Sequence, residues 1–174
     1  ATESCLRISE FQAGEQYDAT FVAKGCFPVE VVSDPKENIL AQIDGPVRVT
    51  ERITGKQLIV TPKGEKVIDF GQNATGIVEF TVNGTRGQKV TFSHAEVLDE
   101  EGNFYTANLR GAKAQDTYIL SGGKETFRPH FTFHGFRYLR VEGIEEVRPE
   151  DFTLLVLHTD MQRTGSFTCE HALV

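Results

Sequence analysis

Residues 67–82, VIDFGQNATGIVEFTV, indicate the fold class of this chain of 174 residues. In the second half of the stretch Val78, Phe80 and Val82 stand at alternate positions, which predicts a half-buried β-strand with these side chains on one face. We predict VIDFGQ to be a separate strand before it. After a turn at Asn83-Gly84, KVTFSHAEV predicts a third strand. Consecutive strands joined by short turns are typical of an antiparallel sheet.

The remainder of the chain also has the pattern of strands. Residues 116–133, DTYILSGGKETFRPHFTF, predict a hairpin that turns at Gly122-Gly123, and YLRVEG and FTLLVLHTD predict two later strands. Turn signals recur about every 8–12 residues, which is typical of an all-β sandwich or barrel. Helical turns are expected only at Pro149–Phe152 and within Tyr105–Gln115, and we interpret the second as a long functional loop. The predicted fold class is all-β, an antiparallel β-sandwich with little helix.

The composition argues against two classes of partner. Asp and Glu number 25 against 18 Lys and Arg, a net charge of -7, whereas nucleic-acid binding needs a basic surface. No apolar run approaches the roughly 20 residues of a membrane-spanning helix. We therefore expect neither a nucleic acid nor a membrane as partner.

The first residues lack the basic start and apolar middle of a signal peptide and begin without Met, so this end is expected to be a processing boundary. The cellular compartment stays open.

Three cysteines, Cys5, Cys26 and Cys169, lie far apart, and none belongs to a Cys-x-x-Cys pair. This spacing does not support a structural zinc site. We expect buried or partly buried free thiols, with one bridge, for example between Cys5 and Cys26, as the alternative. The sequence predicts no cofactor and no metal site.

A glycine interrupts the aromatic stretch FTFHGFRYLRVEG, residues 131–143. The apolar residues before and after Gly135 differ in phase, which predicts a β-bulge or a close backbone approach at this position. A bulge would re-aim His134 and Arg137 together toward a neighbouring element. The alternative is a packed strand in which these two side chains pair with buried backbone or with a carboxylate.

Two other groups of polar residues are candidates for ligand binding or catalysis, although their sequence patterns are less specific. Asp69, Gln72 and Asn73 could hold calcium, bind sugar hydroxyls or simply build a turn. Glu96 follows His94 by two residues, so both are expected on one strand face, and we expect an arginine to pair with Glu96. A glycosidase needs two carboxyl groups held roughly 5–10 Å apart, and no pair of carboxylates here meets that description convincingly.

Three dense motifs carry a family resemblance: IDFGQNATG, HAEVLDEEGNFYTANLRGAKAQDTYIL and FRPHFTFHGFRY. In this order they resemble bacterial α-L-rhamnosidases of glycoside hydrolase family 78, and the similarity runs from about Pro46 to Phe167. The resemblance implies a concanavalin-like, jelly-roll-like β-sandwich that precedes a catalytic (α/α)6 barrel. It also implies a parent enzyme that removes terminal α-L-rhamnose from glycosides with inversion, using carboxyl groups of the barrel. No position here matches a catalytic residue, so we expect this segment alone to be inactive.

The resemblance also implies a domain organisation. Residues 1–45 are expected to be a linker with short strands, YDATFV and FPVEVV, that leaves a preceding β-domain. Residues 46–160 are expected to form the sandwich, and residues 161–174 to begin the connection to the barrel. The expected partner is the catalytic barrel of the same full-length chain.

Three functions follow as hypotheses. The leading one is that the segment supports the barrel and shapes one side of its cleft. The alternative is a carbohydrate-binding module for rhamnose-containing glycans, with rhamnosides as ligands, and independent catalysis has the least support. The candidate residues for contact with a sugar or with another domain are His134, Arg137, Tyr138, Asn108, Arg110, Asp69 and Asn73.

Overall fold

Ten β-strands and two short 3₁₀ helices make up the computed structural model, which describes residues 4–25, 28–33 and 35–171. The strands are β1 Leu6–Glu10, β2 Gly14–Asp18, β3 Val47–Thr54, β4 Gln57–Val60, β5 Lys66–Gly84, β6 Lys89–Ala95, β7 Gln115–Ile119, β8 Gly123–Phe127, β9 His134–Glu142 and β10 Phe152–Thr159. The 3₁₀ helices are Ala107–Leu109 and Pro149–Asp151, within the two places where helical turns were expected. Strands account for 47% of the chain, and the described ranges contain no α-helix, so the all-β prediction is confirmed.

All strands belong to one curled sheet with the order β1-β2-β7-β6-β9-β5-β10-β3, and β4 and β8 also pair with β5. Every pairing is antiparallel except that of β2 with β7, so the sheet is mixed where an antiparallel one was predicted. The curl brings non-adjacent strands together around one core, as expected for a concanavalin-like β-sandwich. Residues of β1 and β2 therefore share hydrogen bonds with the sheet, while the predicted domain boundary near residue 46 stays a prediction.

The separate strands predicted for VIDFGQ and GIVEFTV are one strand, β5, of 19 residues. It pairs with β4 and β9 in its first half and with β10 and β8 in its second, so one strand serves four partners. Val78, Phe80 and Val82 face the core, as predicted from their alternation. The turn expected at Asn83-Gly84 is displaced, because these residues still pair with β8 and the chain turns over the next four residues.

The hairpin predicted between residues 116 and 133 does not form. The chain does turn at Gly122 and Gly123, which both have positive φ angles, 107° and 92°. However, β7 already has β2 on one edge and β6 on the other. A strand has only two edges for backbone hydrogen bonds, so β8 pairs with the end of β5.

The bulge predicted at Gly135 lies in the partner strand. Gly135 pairs with Thr75 in register, and the irregularity falls on β5, where four residues between Asp69 and Ala74 oppose Arg137 alone. Phe131 and Phe133 precede β9 and are 70% and 46% exposed, so they do not form part of a core strand. The change of phase seen in the sequence of β9 therefore accompanies a bulge in β5.

Aromatic rings dominate the main core. Phe80 lies 4.3 Å from Phe92 and 4.9 Å from Tyr118 between ring centroids, and Phe152 also packs on Phe92. Burying each such ring stabilises the fold by about 2–3 kcal/mol. A smaller cluster of Val67, Ala95 and Phe104 lies elsewhere on the sheet.

Residues 19–46 contain no strand within their described part. The strand predicted for YDATFV ends at Asp18, and the described part of FPVEVV, residues 28–33, is not a strand. Cys5 is a half-buried free thiol, as expected, and Cys169 is also a free thiol but is exposed, so its expected burial is wrong; Cys26, the other cysteine of the alternative bridge, lies outside the described residues. No helix among the described residues is long and apolar enough to cross a membrane.

Candidate functional site

Among the candidate residues predicted from the sequence, the buried carboxylate of Asp69 and the guanidinium of Arg137 form the closest polar pair. Asp69 lies on β5 at the start of the bulge, and Arg137 lies opposite on β9. Arg137 donates hydrogen bonds from Nε to Oδ1 and from Nη2 to Oδ2 of Asp69, and each N–O distance is 2.8 Å. The hydrogen bonds from Arg137 hold the pKa of Asp69 below its ordinary value, and the backbone N–H of Gly71 adds to this effect. The two residues therefore form an ion pair that connects β5 to β9 at the bulge.

A second group of candidates meets around Glu96, just beyond the end of β6. Asn73 donates from Nδ2 to Oε1 of Glu96 over 3.3 Å, and Asn108 donates from Nδ2 to Oε2 over 3.1 Å. These bonds tie the β5 bulge to the loop between β6 and β7. The expectation that an arginine pairs with Glu96 is wrong for the described residues, because its partners are these two amides.

Arg110 stands apart from both groups. It follows the 3₁₀ helix Ala107–Leu109, is exposed, and adopts a positive φ of 55°. Its guanidinium makes no hydrogen bond or ion pair within the described part of the chain. A non-glycine residue with this φ is strained, and such positions are often held for function.

Tyr138 and His134 lie at different depths. Tyr138 is half-buried beside the smaller core, and the guanidinium carbon of Arg137 lies 5.0 Å from its ring centroid. His134 is buried, with its ring 4.3 Å from that of His94. The structure thus brings together Asp69, Arg137 and Tyr138, joins Asn73 to Asn108 through Glu96, and places His134 inside. Their contact with a sugar or another domain stays a prediction.

The sequence did not reveal a buried cluster of His94, Asp116 and His134. Nε2 of His94 lies 3.8 Å from Oδ2 of Asp116, and Nε2 of His134 lies 3.5 Å from Oδ1. Neither Nε2 atom has a hydrogen-bond partner. Burial lowers the pKa of His94 to about 4, so its ring is neutral near pH 7. Asp116 was missed because its segment, DTYIL, has only the pattern of a strand. Residues that come from three different strands also show no characteristic spacing in the sequence by which the cluster could be recognised.

Comparison with known proteins identifies the family. Residues 59–158 match the family model described as bacterial alpha-L-rhamnosidase concanavalin-like domain. The chain belongs to this family. That result confirms the resemblance found in the three motifs.

The relatives agree with the family and show how much of them this chain spans. An alpha-L-rhamnosidase of Streptomyces avermitilis is 44% identical over 78% of this chain and 13% of its own length. The crystal structure of an alpha-L-rhamnosidase from Aspergillus terreus is 37% identical, with a TM-score of 0.84 over 97% of this chain and 21% of that one. A Streptomyces avermitilis enzyme complexed with L-rhamnose is 40% identical, with a TM-score of 0.74 over 87% of this chain and 16% of that one. The chain therefore spans only about a fifth or less of these relatives.

Proposed function

We propose that this chain is the non-catalytic β-sandwich of an inverting α-L-rhamnosidase, where it supports the catalytic barrel and one side of its cleft. The observation that carries the proposal is a run of exposed apolar side chains between residues 22 and 43. Seven of them are at least 70% exposed: Val22, Val29, Val31, Val32, Ile39, Leu40 and Ile43.

The energy of these side chains favours a covering partner. Burying one Val or Ile side chain is worth about 1.5–3 kcal/mol, so a partner that covers several of these side chains would gain substantial binding energy. The relatives are about five or more times longer than this segment, as their coverage of 13–21% implies. Another part of the same full-length protein is the simplest partner to cover these side chains, because it is covalently linked to this segment in every molecule.

The state of two of the three buried carboxylates among the described residues, Asp69 and Glu15, supports a non-catalytic role. A glycosidase acid needs a raised pKa and access to the substrate. Asp69 has a lowered pKa because Arg137 binds it. Glu15 is buried and binds both the backbone N–H and the Nδ1 atom of His130. These carboxylates maintain the fold.

The activity test compares this chain with the full-length protein that contains it. Both are assayed with p-nitrophenyl α-L-rhamnoside. Turnover by the full-length protein alone is expected. Turnover by this chain would contradict the non-catalytic role, and inactivity of a folded full-length protein toward this and natural α-L-rhamnosides would contradict the proposed substrate.

A second test addresses support of the barrel. Val31→Ser and Ile43→Ser are introduced together into this chain and into the full-length protein. In this chain the two side chains are 92% and 97% exposed, so the melting temperature should not change. In the full-length protein it should fall by several degrees. Equal melting behaviour of variant and parent in both contexts would contradict a covered interface.

One observation favours sugar binding as the second candidate. The exposed rings of Phe11 and Phe133 lie 5.2 Å apart between centroids, and Phe131 is exposed nearby in sequence. Exposed aromatic faces can pack against the C–H face of a sugar. Calorimetric titration with L-rhamnose should then give heat that Phe133→Ala abolishes. Absence of heat at millimolar sugar would reject this candidate.

A further inference from the structure

We propose that His94, Asp116 and His134 form a metal site inside the sandwich, which takes a zinc-class divalent ion through two imidazole nitrogens and the carboxylate. Imidazole nitrogen and a single carboxylate suit zinc and the neighbouring transition metals, whereas calcium prefers oxygen ligands. The proposal concerns this chain's own interior and does not depend on the rhamnosidase function.

The sheet holds the three residues on adjacent strands. His94 lies on β6, Asp116 on β7 and His134 at the start of β9. Backbone pairing of β6 with β7 sets the position of Asp116 relative to His94, and His134 is fixed by its pairing with Gly76 of β5. Ligands carried by rigid strands are held in place before an ion arrives.

The distances between donor atoms suit a tetrahedral ion. Two ligands at 2.0–2.1 Å from zinc are ~3.4 Å apart at the tetrahedral angle. The Nε2–Oδ distances from Asp116 are 3.5 Å to His134 and 3.8 Å to His94. One donor atom from each of the three residues lies within 4.8 Å of the other two. Binding therefore requires only small movements of the carboxylate and a modest approach of the two rings.

Backbone groups around the cluster orient two of the ligands. Nδ1 of His94 lies 2.8 Å from the carbonyl oxygen of Ala114, which suits an Nδ1–H donor and leaves the Nε2 lone pair directed at the cluster. The backbone N–H of Glu15 donates to Oδ1 of Asp116 over 2.8 Å. Hydrogen bonds of this kind fix ring tautomer and ligand orientation in metal sites.

The unpartnered nitrogens are the observation that points to a ligand. Nε2 of His94 and Nε2 of His134 are buried without a hydrogen bond, and their side chains are only 1% and 5% exposed. Their distances to Asp116 exceed the usual range of about 2.7–3.2 Å for an N–H···O hydrogen bond. Buried polar atoms without partners are rare in native proteins and call for an explanation. A bound ion would satisfy both nitrogens and balance the buried carboxylate.

The test measures metal binding directly. The chain, produced without a histidine tag, is stripped with a chelator and titrated with Zn²⁺ and separately with Co²⁺. We expect one equivalent of Zn²⁺ per chain, a higher melting temperature, and the intense visible absorption of low-symmetry Co²⁺. Absence of binding and of any thermal shift with both ions would overturn the proposal, as would stabilisation by Ca²⁺ alone.

Variants locate the ion. Asp116→Asn keeps the shape and the oxygen that accepts from Glu15, and His134→Gln gives a second variant should the first fail to fold. Each should weaken Zn²⁺ binding at least tenfold, since even residues outside the ligand set change affinity by about 10–100-fold. The control is His158→Gln, which changes an exposed histidine on β10 and should bind Zn²⁺ like the parent. Parental affinity in a folded Asp116→Asn or His134→Gln variant would overturn the site.

Discussion

Arg137 binds the buried carboxylate of Asp69 through two parallel hydrogen bonds of 2.8 Å, directly opposite the β5 bulge. The planar guanidinium matches the two carboxylate oxygens, which a lysine could not do. At this point the ladder between β5 and β9 loses its regular backbone bonds. The side-chain pair therefore replaces part of the lost connection between the two strands.

Arg137→Met should destabilise the chain by about 2 kcal/mol, because it leaves a buried carboxylate without its charged partner while retaining the apolar stem. Arg148→Met is the matched control. Arg148 also binds an aspartate, Asp151, through two nitrogens, but its side chain is 56% exposed, so its loss should leave the unfolding free energy almost unchanged. Urea unfolding of the three proteins measures both effects, and equal losses would contradict the importance of burial.

The same pair predicts a dependence of stability on pH. The pKa of Asp69 is lower in the folded chain than the value of about 3.9 for an unfolded aspartate, so the unfolded state binds more protons between the two values. Its contribution is complete above about pH 5 and is lost as the pH falls through the folded pKa. The difference in unfolding free energy between the parent and Asp69→Asn should therefore shrink below about pH 4.

Urea titrations of both proteins from about pH 3 to about pH 7 test this expectation. Asp18, Glu65 and Asp99 also have lowered pKa values, but they are present in both proteins and largely cancel in the difference. A difference that stays constant over the whole acid range would show that Arg137 does not hold Asp69 ionised.

Gly76 should tolerate no side chain, whereas Gly135 should. A Cβ on Gly76 would lie 2.2 Å from the carbonyl oxygen of Leu155 and 2.7 Å from Cδ1 of Leu154, while a Cβ on Gly135 meets nothing within 4 Å. Gly76→Ala should cost about 2 kcal/mol or more through displacement of β10, and Gly135→Ala should change stability by less than about 1 kcal/mol. The two glycines lie one position apart in the β5–β9 register, which makes them a matched pair for thermal unfolding.

Arg110→Ala should separate the role of the side chain from that of the backbone. Alanine meets the same cost at a φ of 55°, so the substitution removes only the guanidinium. This chain should melt at an unchanged temperature. If the loop contacts the proposed barrel, the full-length protein should lose thermal stability or the proposed rhamnosidase activity, and unchanged melting temperature and kinetics in that context would reject the contact.

Local patterns in the amino-acid sequence were enough to establish the class of the fold and the family. The alternation of Val78, Phe80 and Val82 predicts which side chains face the core, because successive residues of a strand point to opposite faces wherever the strand lies. The three motifs identified the α-L-rhamnosidase resemblance that the family match confirms. The shared partner of Asn73 and Asn108 could not be inferred, since nothing in either motif indicates that Glu96 binds both.

The pairing of strands, and with it the meeting of distant residues, became visible only in the folded chain. Gly122-Gly123 predicts a turn correctly, but β8 pairs with β5 because β2 and β6 occupy both edges of β7. In the same way, Asp116 lies near His94 because β7 pairs with β6, whereas His134 pairs with Gly76 of β5 and reaches these two residues only because the sheet curls. Side-chain alternation is a local property of the backbone, whereas the choice of a partner strand depends on which edges the whole sheet leaves free.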